Sequence, residues 1–495
     1  MQKHIDFRAE SFNFQSKEAE HRRQEEILLS FLRKITAGQG EVTENESPGR
    51  RKCPLFALQN GGAGDIMTKK DAIWKEIPMK DSTTWFRDAK YGLFVHWGLY
   101  AIPGGEWQGE DIPCGSEWIM KNARIPLRVY RRLAERFCPA LFDARALVRR
   151  AKAWGMRYVC VTAKHHDGFA MFDTAVSDWS VMHTPYGKDV IRQFADACEA
   201  EGMPFCVYYS QYQDWEDPDG FGNTWDYDPS RQDFRRYFYG KALPQVRELL
   251  TGYGRIGMIW FDTPYEMPRD LCRELRDTVK SCQPDCLING RIGYGLGDYR
   301  QAADNSIPTF SSDAPWEVPA TLNSSWGYMK RDRDFRSPES VIEQLVQVAG
   351  KGGNLLLNVG PDADGAVPEA SCAVLDAVGA WLARYGESVQ ETAAVPDLPY
   401  LLSWGSLTWS PARGRLYFHV RKYPRIAGRV LLTGLATPVR RAVLLSDGRE
   451  LRWSQTYETA RDEHRLYVFL PPECVDPFDT VIAVETEGTL TVQKL

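Results

Sequence analysis

The stretch RYVCVTAKHHDGF, residues 157–169, indicates how the chain folds. Apolar and β-branched residues continue without alternation up to Ala163, and four polar residues, Lys164 to Asp167, follow directly. A strand this continuously apolar is buried on both faces, which is typical of parallel sheets. In barrels, the carboxyl ends of the strands form the mouth of the active site, so the polar residues there are candidates for chemistry.

The same pattern recurs from residue 85 to about residue 390. Amphipathic segments with helix start and stop signals alternate with the apolar runs, over residues 142–155, 188–202, 268–282 and 337–353. Repeated βα units of this kind predict a (β/α)₈-type barrel. No GxGxxG loop follows the first strand, which weighs against a dinucleotide-binding sheet. The other apolar runs are GLFVHWG (92–98), PFCVYYS (204–210), IGMIWFD (256–262), DCLING (285–290) and NLLLNVG (354–360).

The composition changes along the chain and predicts three regions. Residues 1–70 read as an N-terminal extension that is partly helical or disordered, with one amphipathic segment over 15–35 followed by a Gly- and charge-rich linker. We predict the catalytic (β/α) barrel over 71–392. Short alternating strands separated by Gly, Pro and Asp then predict a C-terminal antiparallel β-sandwich over 393–495.

The overall composition excludes several classes of protein. The chain has 495 residues, with 61 Lys and Arg against 66 Asp and Glu, and its net charge of −5 argues against nucleic-acid binding. No apolar run is long enough to cross a membrane. Eleven scattered cysteines and the absence of a signal-like apolar segment predict reduced thiols and a cytoplasmic protein. Aromatic residues make up 12% of the chain, which suits a sugar pocket.

Five of the apolar runs end in, or are followed directly by, polar residues. We interpret Asp262, which follows Trp260 and Phe261, as a nucleophile or an acid/base catalyst, because an unpaired buried carboxylate is costly. The alternative is a helix N-cap. The five strand ends are His96-Trp97, Lys164-His165-His166-Asp167, Tyr208-Tyr209-Ser210, Trp260-Phe261-Asp262 and Asn289-Gly290-Arg291.

Three histidines raise the question of a metal site. His165 and His166 are adjacent, and adjacent side chains on a strand point to opposite faces, so we do not expect them to share one ion. We expect these two residues and His96 to bind ligand hydroxyl groups, and we predict neither a metal nor a cofactor. Arg291 is a fixed cation at the same rim, where it could hold a carboxylate, bind a ligand oxygen or form a surface salt bridge.

Taken together, the motifs resemble glycoside hydrolase family 29, the α-L-fucosidases. The resemblance covers residues 85–365, a little over half the chain. The motifs are WFRDAKYGLFVHWGLY (85–100), SEW (116–118), AKHHDGFAMFDT (163–174), VYYS (207–210), IWFD (259–262), INGR (288–291), PWEVPATLNSSWGY (315–328) and KGGNLLLNVGPDADG (351–365).

The resemblance implies a retaining exo-α-L-fucosidase that releases terminal fucose from a fucosylated oligosaccharide or glycoconjugate. Asp262 would be the nucleophile, and a second carboxyl group about 5–5.5 Å away would be the acid/base. The residues implied as the fucose pocket are His96, Glu117, Trp118, His165, His166, one of Tyr208 and Tyr209, Trp260 and Arg291.

The acid/base is the point at which this sequence departs from the family. Relatives often carry a Glu in the loop that here reads GDYRQAADNSIP (297–308). Asp304 is our first candidate from its spacing, and Glu317 is the runner-up, ahead of Glu266 and Asp298. Thr263 also stands where the family usually has Gly after the nucleophile. We expect this difference to affect leaving-group preference more than the reaction itself.

Two rival functions stay open from the sequence. One is a glycosidase of the same architecture acting on another sugar, and the other is a non-catalytic fucose-binding protein. The linkage preference would depend on the rim loops 98–126 and 212–230. The second loop is rich in Asp, Trp and Tyr and either lines a leaving-group subsite or is simply solvated.

Overall fold

The structure of this chain is a computed structural model that describes residues 83–309, 312, 314–395, 402–424 and 428–493. The predicted N-terminal extension, residues 1–70, and its amphipathic segment lie outside the described residues. The boundary near residue 392 stays a prediction, as do the other domain limits.

Eight parallel strands form one curled sheet. Their hydrogen-bonded order is β5-β4-β3-β2-β1-β8-β7-β6, so neighbouring strands are mostly consecutive in the chain, as in a (β/α)₈ barrel. This confirms the predicted fold class. The strands are β1 (Tyr91–Val95), β2 (Val159–Lys164), β3 (Phe205–Tyr209), β4 (Met258–Phe261), β5 (Leu287–Ile288), β6 (Arg300–Gln301), β7 (Trp316–Thr321) and β8 (Asn354–Val359).

The two end strands of this sheet, β5 and β6, are joined by Asp298. Its backbone N–H donates to the Ile288 carbonyl at 2.8 Å, and its carboxylate accepts from the Ile288 N–H at 2.9 Å. Lys280 lies 2.7 Å from the same carboxylate. Asp298 therefore bridges the gap between the first and last strands of the sheet.

The longer helices of the described residues are α1 (Ala144–Ala153), α2 (Val190–Glu201), α3 (Leu243–Gly252), α4 (Arg269–Cys282), α5 (Pro338–Gly350) and α6 (Glu369–Tyr385). Their ends follow the sequence signals. Asp143 caps α1 by accepting from the Ala146 N–H, and Ser337 caps α5 in the same way. Gly202 ends α2 in the left-handed conformation that glycine favours.

Strands β6 and β7 were not among the predicted runs. β6 has two residues, too few to give a pattern. β7 contains Pro319, which normally argues against an interior strand because proline has no N–H. Here the Pro319 carbonyl faces away from β8 and accepts from the Asn305 N–H at 2.9 Å. The missing N–H is on that same side, so the β7–β8 ladder keeps all of its bonds.

The C-terminal region contains two antiparallel sheets, as predicted. One has the order β9-β10-β15-β12 and the other β11-β14-β13. The strands are β9 (Gly405–Ser410), β10 (Arg415–Val420), β11 (Arg429–Thr433), β12 (Val439–Leu444), β13 (Trp453–Glu458), β14 (Glu463–Phe469) and β15 (Thr480–Thr486).

The four-stranded sheet packs against helices of the barrel. Tyr417, Val481 and Ala483 belong to the same buried apolar cluster as the barrel helices. Trp381 of α6 donates its indole N–H to the Asp479 carbonyl at 3.2 Å. The strands of the sandwich therefore support the barrel from outside, away from the strand ends described below. Within the described ranges, no helix has the length and apolar character needed to cross a lipid bilayer.

Candidate active site

The candidate site lies at the carboxyl ends of the barrel strands. β1 leads into His96, β2 into His165 and His166, and β4 into Asp262. Tyr208 and Trp260 project into the barrel interior from β3 and β4, where they stack with ring centroids 5.5 Å apart. All these side chains are buried, so the polar groups of the site work in an environment that strengthens electrostatic contacts.

Three groups hold the Asp262 carboxylate. The Tyr208 hydroxyl donates to Oδ2 at 2.8 Å, Arg291 Nη1 donates to Oδ1 at 2.7 Å, and the Thr263 N–H donates to Oδ1 at 2.9 Å. His166 Nε2 lies 3.6 Å from Oδ2. No helix begins at Asp262, since α4 starts at Arg269, so the helix-cap interpretation is wrong. The carboxylate is therefore held in one orientation at the carboxyl end of β4.

Arg291 joins two carboxylates. Its second terminal nitrogen, Nη2, bonds Asp304 Oδ1, and its guanidinium carbon lies 4.9 Å from the centre of the Trp260 ring. Burial alone would lower the pKa of Arg291, but Asp262 and Asp304 outweigh burial and raise it. Arg291 is therefore a permanent cation between the two acidic groups, rather than a partner in a surface salt bridge.

Asp304 differs from Asp262 in its surroundings. Its side chain is 40% exposed, at the outer side of the guanidinium. Burial raises the pKa of Asp304 above its ordinary value, the Asp262 charge adds to the rise, and Arg291 opposes it. The two carboxyl groups are thus held by one cation in unequal environments, which is the arrangement that separates a nucleophile from an acid.

The three histidines of the site are neutral. Burial lowers the pKa of His96 to about 4 and that of His165 and His166 well below the ordinary value. His96 Nδ1 lies 2.7 Å from the side-chain oxygen of Asn358, whose amide nitrogen donates to the Trp326 carbonyl. Nδ1 of His96 therefore carries the proton, and Nε2 is left as an acceptor.

His166 has the same tautomer for the same kind of reason. Its Nδ1 lies 2.7 Å from the Ser210 hydroxyl, which donates its own proton to the Gln213 carbonyl. None of the described residues forms a hydrogen bond with the buried Nδ1 of His165, whose ring stacks on Tyr208 at 5.3 Å. An unpaired buried nitrogen is costly, so Nδ1 is an unsatisfied polar atom within the site.

The expectation that His165 and His166 point to opposite faces is wrong. Strand β2 ends at Lys164, and its pairing register shifts between Thr162 and Lys164. Both imidazoles therefore lie in the same mouth, with ring centroids 4.2 Å apart. Among the described residues, no cluster of His, Cys, Asp and Glu side chains has the arrangement of a metal site.

The structure separates the two adjacent tyrosines of β3. Tyr208 bonds Asp262, whereas the Tyr209 hydroxyl donates to the Gln245 side chain at 2.8 Å, in the layer between sheet and helices. Lys164 lies over the Tyr209 ring at 4.8 Å. Because successive strand residues alternate between faces, only Tyr208 reaches the site.

Glu117 and Trp118 shape the rim. The Glu117 carboxylate accepts from the Gly327 N–H at 2.9 Å and from the Ser325 hydroxyl at 3.2 Å, and burial raises its pKa. It therefore anchors the loop that carries Trp326. The Trp118 ring packs edge-on against His166, with centroids 4.9 Å apart.

The other candidate acids lie elsewhere. Glu317 is buried in the barrel interior, where it accepts from Tyr158 at 2.7 Å and from the Trp260 indole at 2.9 Å. Burial raises the pKa of Glu317 to about 7. Asp298 is occupied in joining β5 to β6, and Glu266 is exposed in the loop after Asp262. Of the four candidates, Asp304 alone has a described hydrogen bond to Arg291.

Sequence analysis missed Gln211 and Asn358. The Gln211 side chain accepts from the Asp262 N–H at 2.8 Å and donates to the Arg291 carbonyl at 3.0 Å, so it fixes the backbones of both residues. Gln211 follows the VYYS strand end by one residue, and Asn358 lies inside the NLLLNVG run. A buried amide at a barrel strand end is the signal that could have identified them.

Comparison with known proteins identifies the family of this chain. The family model described as Alpha-L-fucosidase matches residues 62–387. The chain belongs to the α-L-fucosidase family. It is therefore a glycoside hydrolase, and the resemblance stated from the motifs is confirmed.

Individual relatives extend the match. Tissue α-L-fucosidase of Bos taurus is 28% identical over 407 residues, covering 77% of this chain and 84% of the bovine protein. The crystal structure of an α-L-fucosidase from Vibrio sp. strain EJY3 has a TM-score of 0.79 and 32% identity, covering 84% of this chain and 74% of that one. An α-L-fucosidase of Bacteroides thetaiotaomicron, solved as a trapped covalent intermediate with 2-fluoro-fucosyl fluoride, has a TM-score of 0.74 and 28% identity, covering 82% and 96%.

Proposed function

We propose that this chain is a retaining exo-α-L-fucosidase that hydrolyses terminal α-L-fucosyl residues by double displacement. The observation that carries the proposal is the shared guanidinium, with Asp262 on Nη1 and Asp304 on Nη2 of Arg291. The two nitrogens belong to one small planar group, so the two carboxyl groups are near neighbours. This is compatible with the separation of about 5–5.5 Å that retaining enzymes use.

In the first step, an Asp262 oxygen attacks the anomeric carbon while Asp304 gives its proton to the glycosidic oxygen. The carbon–oxygen bond to the leaving group breaks, and a fucosyl ester of Asp262 forms. In the second step, Asp304 takes a proton from water, whose oxygen attacks the same carbon and frees Asp262. The related Bacteroides protein, solved as a covalent intermediate, supports a route of this kind.

Arg291 assists by charge. It donates a hydrogen bond to Asp262 before attack, and as Asp262 loses its charge in the ester, the same cation favours the anionic form of Asp304 that the second step needs. Gln211 and Tyr208 hold the attacking group in one orientation, which is the kind of positioning that lowers a barrier without extra chemistry.

The fucose pocket is proposed to comprise His96, Glu117, Trp118, His165, His166, Tyr208, Trp260 and Arg291. The Nε2 atoms of His96 and His166 are free to accept hydrogen bonds from sugar hydroxyls. The rings of Trp260 and Trp326 pack against Phe94, and the Tyr208 ring packs against His96, so buried aromatic side chains lie beneath the polar groups of the site. An apolar wall behind the polar groups suits a single terminal sugar, in keeping with the exo action proposed here. Glu117 contributes by holding the Trp326 loop.

The deciding experiment follows the anomeric configuration of the released sugar by proton NMR with an aryl α-L-fucoside as substrate. Release of α-L-fucose as the first-formed product supports double displacement, and release of β-L-fucose would exclude it. Parallel assays with an aryl β-D-galactoside test the rival same-fold glycosidase, and absence of turnover on every glycoside would leave only a binding protein.

A further inference from the structure

An unusual concentration of exposed aromatic rings lies beside the candidate site. Among the described residues, three of the seven exposed large apolar side chains are Phe221, Tyr265 and Tyr294, which are 38%, 56% and 52% exposed. Phe221 lies in the loop after β3. Tyr265 and Tyr294 lie three residues beyond Asp262 and Arg291 respectively. Exposed apolar rings grouped on neighbouring loops mark ligand-binding surfaces more often than chance packing.

Two of these rings belong to one packed group. The Phe221 ring is stacked on the buried Tyr212 ring, with centroids 4.7 Å apart and an interplanar angle of 28°. Tyr265 lies 5.6 Å from Phe221 and 6.4 Å from Tyr212. Phe234 supports Tyr212 from the other side at 4.6 Å. We call Tyr212, Phe221 and Tyr265 the aromatic shelf.

The backbone around the shelf is strained. Thr263, Tyr265 and Tyr294 have φ angles of 44°, 36° and 52°, in the left-handed region that residues with a Cβ rarely adopt. Such residues are energetically costly and persist mainly at ligand clamps and active sites. The strain here accompanies the presentation of Tyr265 and Tyr294 to solvent at the mouth.

A hydrogen bond links the two loops that carry the shelf and the nucleophile. The side chain of Gln213, which follows Tyr212, donates to the Thr263 hydroxyl at 2.9 Å, and Thr263 follows Asp262 directly. The Phe221 N–H donates to the Tyr212 carbonyl, which closes the loop that carries both rings. Burial, followed by the charge of Asp262, raises the pKa of the Tyr265 hydroxyl, as expected for a ring close to that carboxylate.

We propose that the aromatic shelf is the leaving-group subsite and binds a neutral pyranose through its apolar C–H face. The proposal rests on the function proposed above and adds the class of substrate. Rings with one exposed face suit the flat face of a sugar that the first step releases. The exposed carboxylate of Glu266, next to Tyr265 in the chain, disfavours an anionic sugar.

The test compares substrates that differ only in the leaving group. In Phe221→Ala and Tyr265→Ala, kcat/KM for a neutral fucosyl disaccharide falls on the order of tenfold, since one ring contact is worth about one such factor. The same variants lose less than about twofold on α-L-fucosyl fluoride, whose leaving group does not reach the shelf. Tyr457→Ala, on the sandwich strand β13, removes an equally exposed ring (49%) and serves as the matched control.

A binding measurement separates failure of the shelf from failure of the proposed function. Calorimetry with Asp262→Asn compares affinity for the disaccharide with affinity for free fucose, before and after removal of Phe221. A loss of affinity confined to the disaccharide supports the shelf. Absence of turnover of fucosyl fluoride by the wild type would overturn the proposed function, but it would leave this binding result for the shelf intact. Equal losses for both ligands, or no loss, overturn the shelf.

Discussion

Nη1 of Arg291 lies 2.7 Å from Oδ1 of Asp262, at the inner side of a guanidinium whose outer side bonds Asp304. The Arg291 guanidinium lies over the Trp260 ring, and the backbone carbonyl of Arg291 accepts a hydrogen bond from the Gln211 side chain. The cation therefore cannot move without disturbing residues on two other loops. One residue fixes both the charge and the relative position of the two carboxyl groups.

Replacing Asp262 with Ala removes the attacking oxygen. We expect kcat/KM on an aryl α-L-fucoside to fall by about 10⁴-fold or more, as when other covalent nucleophiles are removed. Azide, entering the vacated space, restores turnover and gives the β-fucosyl azide, identifiable by NMR. Asp270→Ala, which removes an exposed carboxylate from α4, keeps wild-type activity. An α-configured azide would contradict attack from this side.

Asp304→Asn removes the proposed proton donor but leaves the nucleophile. Activity on a fucosyl disaccharide, a poor leaving group, falls about 10²–10⁴-fold, whereas an aryl fucoside with an acidic phenol loses far less. Steady-state kinetics on the two substrates measure the difference. Glu317→Gln is the comparison, because it alters a buried carboxyl group that bonds Trp260. If Glu317→Gln showed the leaving-group dependence and Asp304→Asn did not, the assignment would be reversed.

We predict that Asp304 causes the decline of activity on the alkaline side of the pH profile. Burial raises its pKa, and the protonated form is the active one in the first step, so kcat/KM declines as the pH rises through that pKa. The raised pKa moves this decline to higher pH than an ordinary aspartate would give. In Asp304→Asn this decline disappears. If the decline of kcat/KM at high pH is unchanged in Asp304→Asn, another group is responsible for it.

Tyr208 and Tyr209 form a matched pair for testing position against stability. Tyr208→Phe removes one donor from Asp262, and we expect kcat/KM to fall on the order of tenfold, the value of one hydrogen bond to a charged group. Tyr209→Phe leaves Gln245 without that partner, which lowers stability by about 1–3 kcal/mol with little effect on turnover. Kinetics and denaturant unfolding on both variants check this, and the reverse pattern would be incompatible with the site.

Glu317 makes stability depend on pH. Its pKa rises from 4.5 to about 7 on folding, so the folded state holds the proton more tightly than the unfolded state. The unfolding free energy therefore falls as the pH rises between these two values, by up to about 3 kcal/mol, and is constant outside them. Urea unfolding of wild type against Glu317→Gln isolates this contribution, because the amide does not titrate. Parallel stability curves for the two proteins would refute it.

The sequence predicted those strands whose own residues form a recognisable pattern. The run ending in Asp262 predicted both the strand and the polar residue at its end, because continuous apolar residues and an abrupt polar end are visible in the sequence. β6 could not be predicted, since a two-residue strand has no periodicity. β7 contains Pro319, which is acceptable only because of the side to which its carbonyl points.

Within the site, the sequence could name residues but not their partners. It could not separate Tyr208 from Tyr209, because the choice depends on which face of β3 looks inward. It could not find the role of Gln211, whose bonds reach two strands that are distant in sequence. The register shift in β2 brings His165 and His166 together, and local spacing carries no record of it.

The neutral state of His96, His165 and His166 has a practical consequence. If these imidazoles bind the sugar as proposed, their protonation stays the same across the range in which most enzymes are used, since burial lowers the pKa even of His96 to about 4. We then expect carboxyl groups to govern the pH range of the reaction. Substitutions of residues around Asp304 are therefore expected to shift the pH optimum of the reaction without changing the proposed sugar-binding groups.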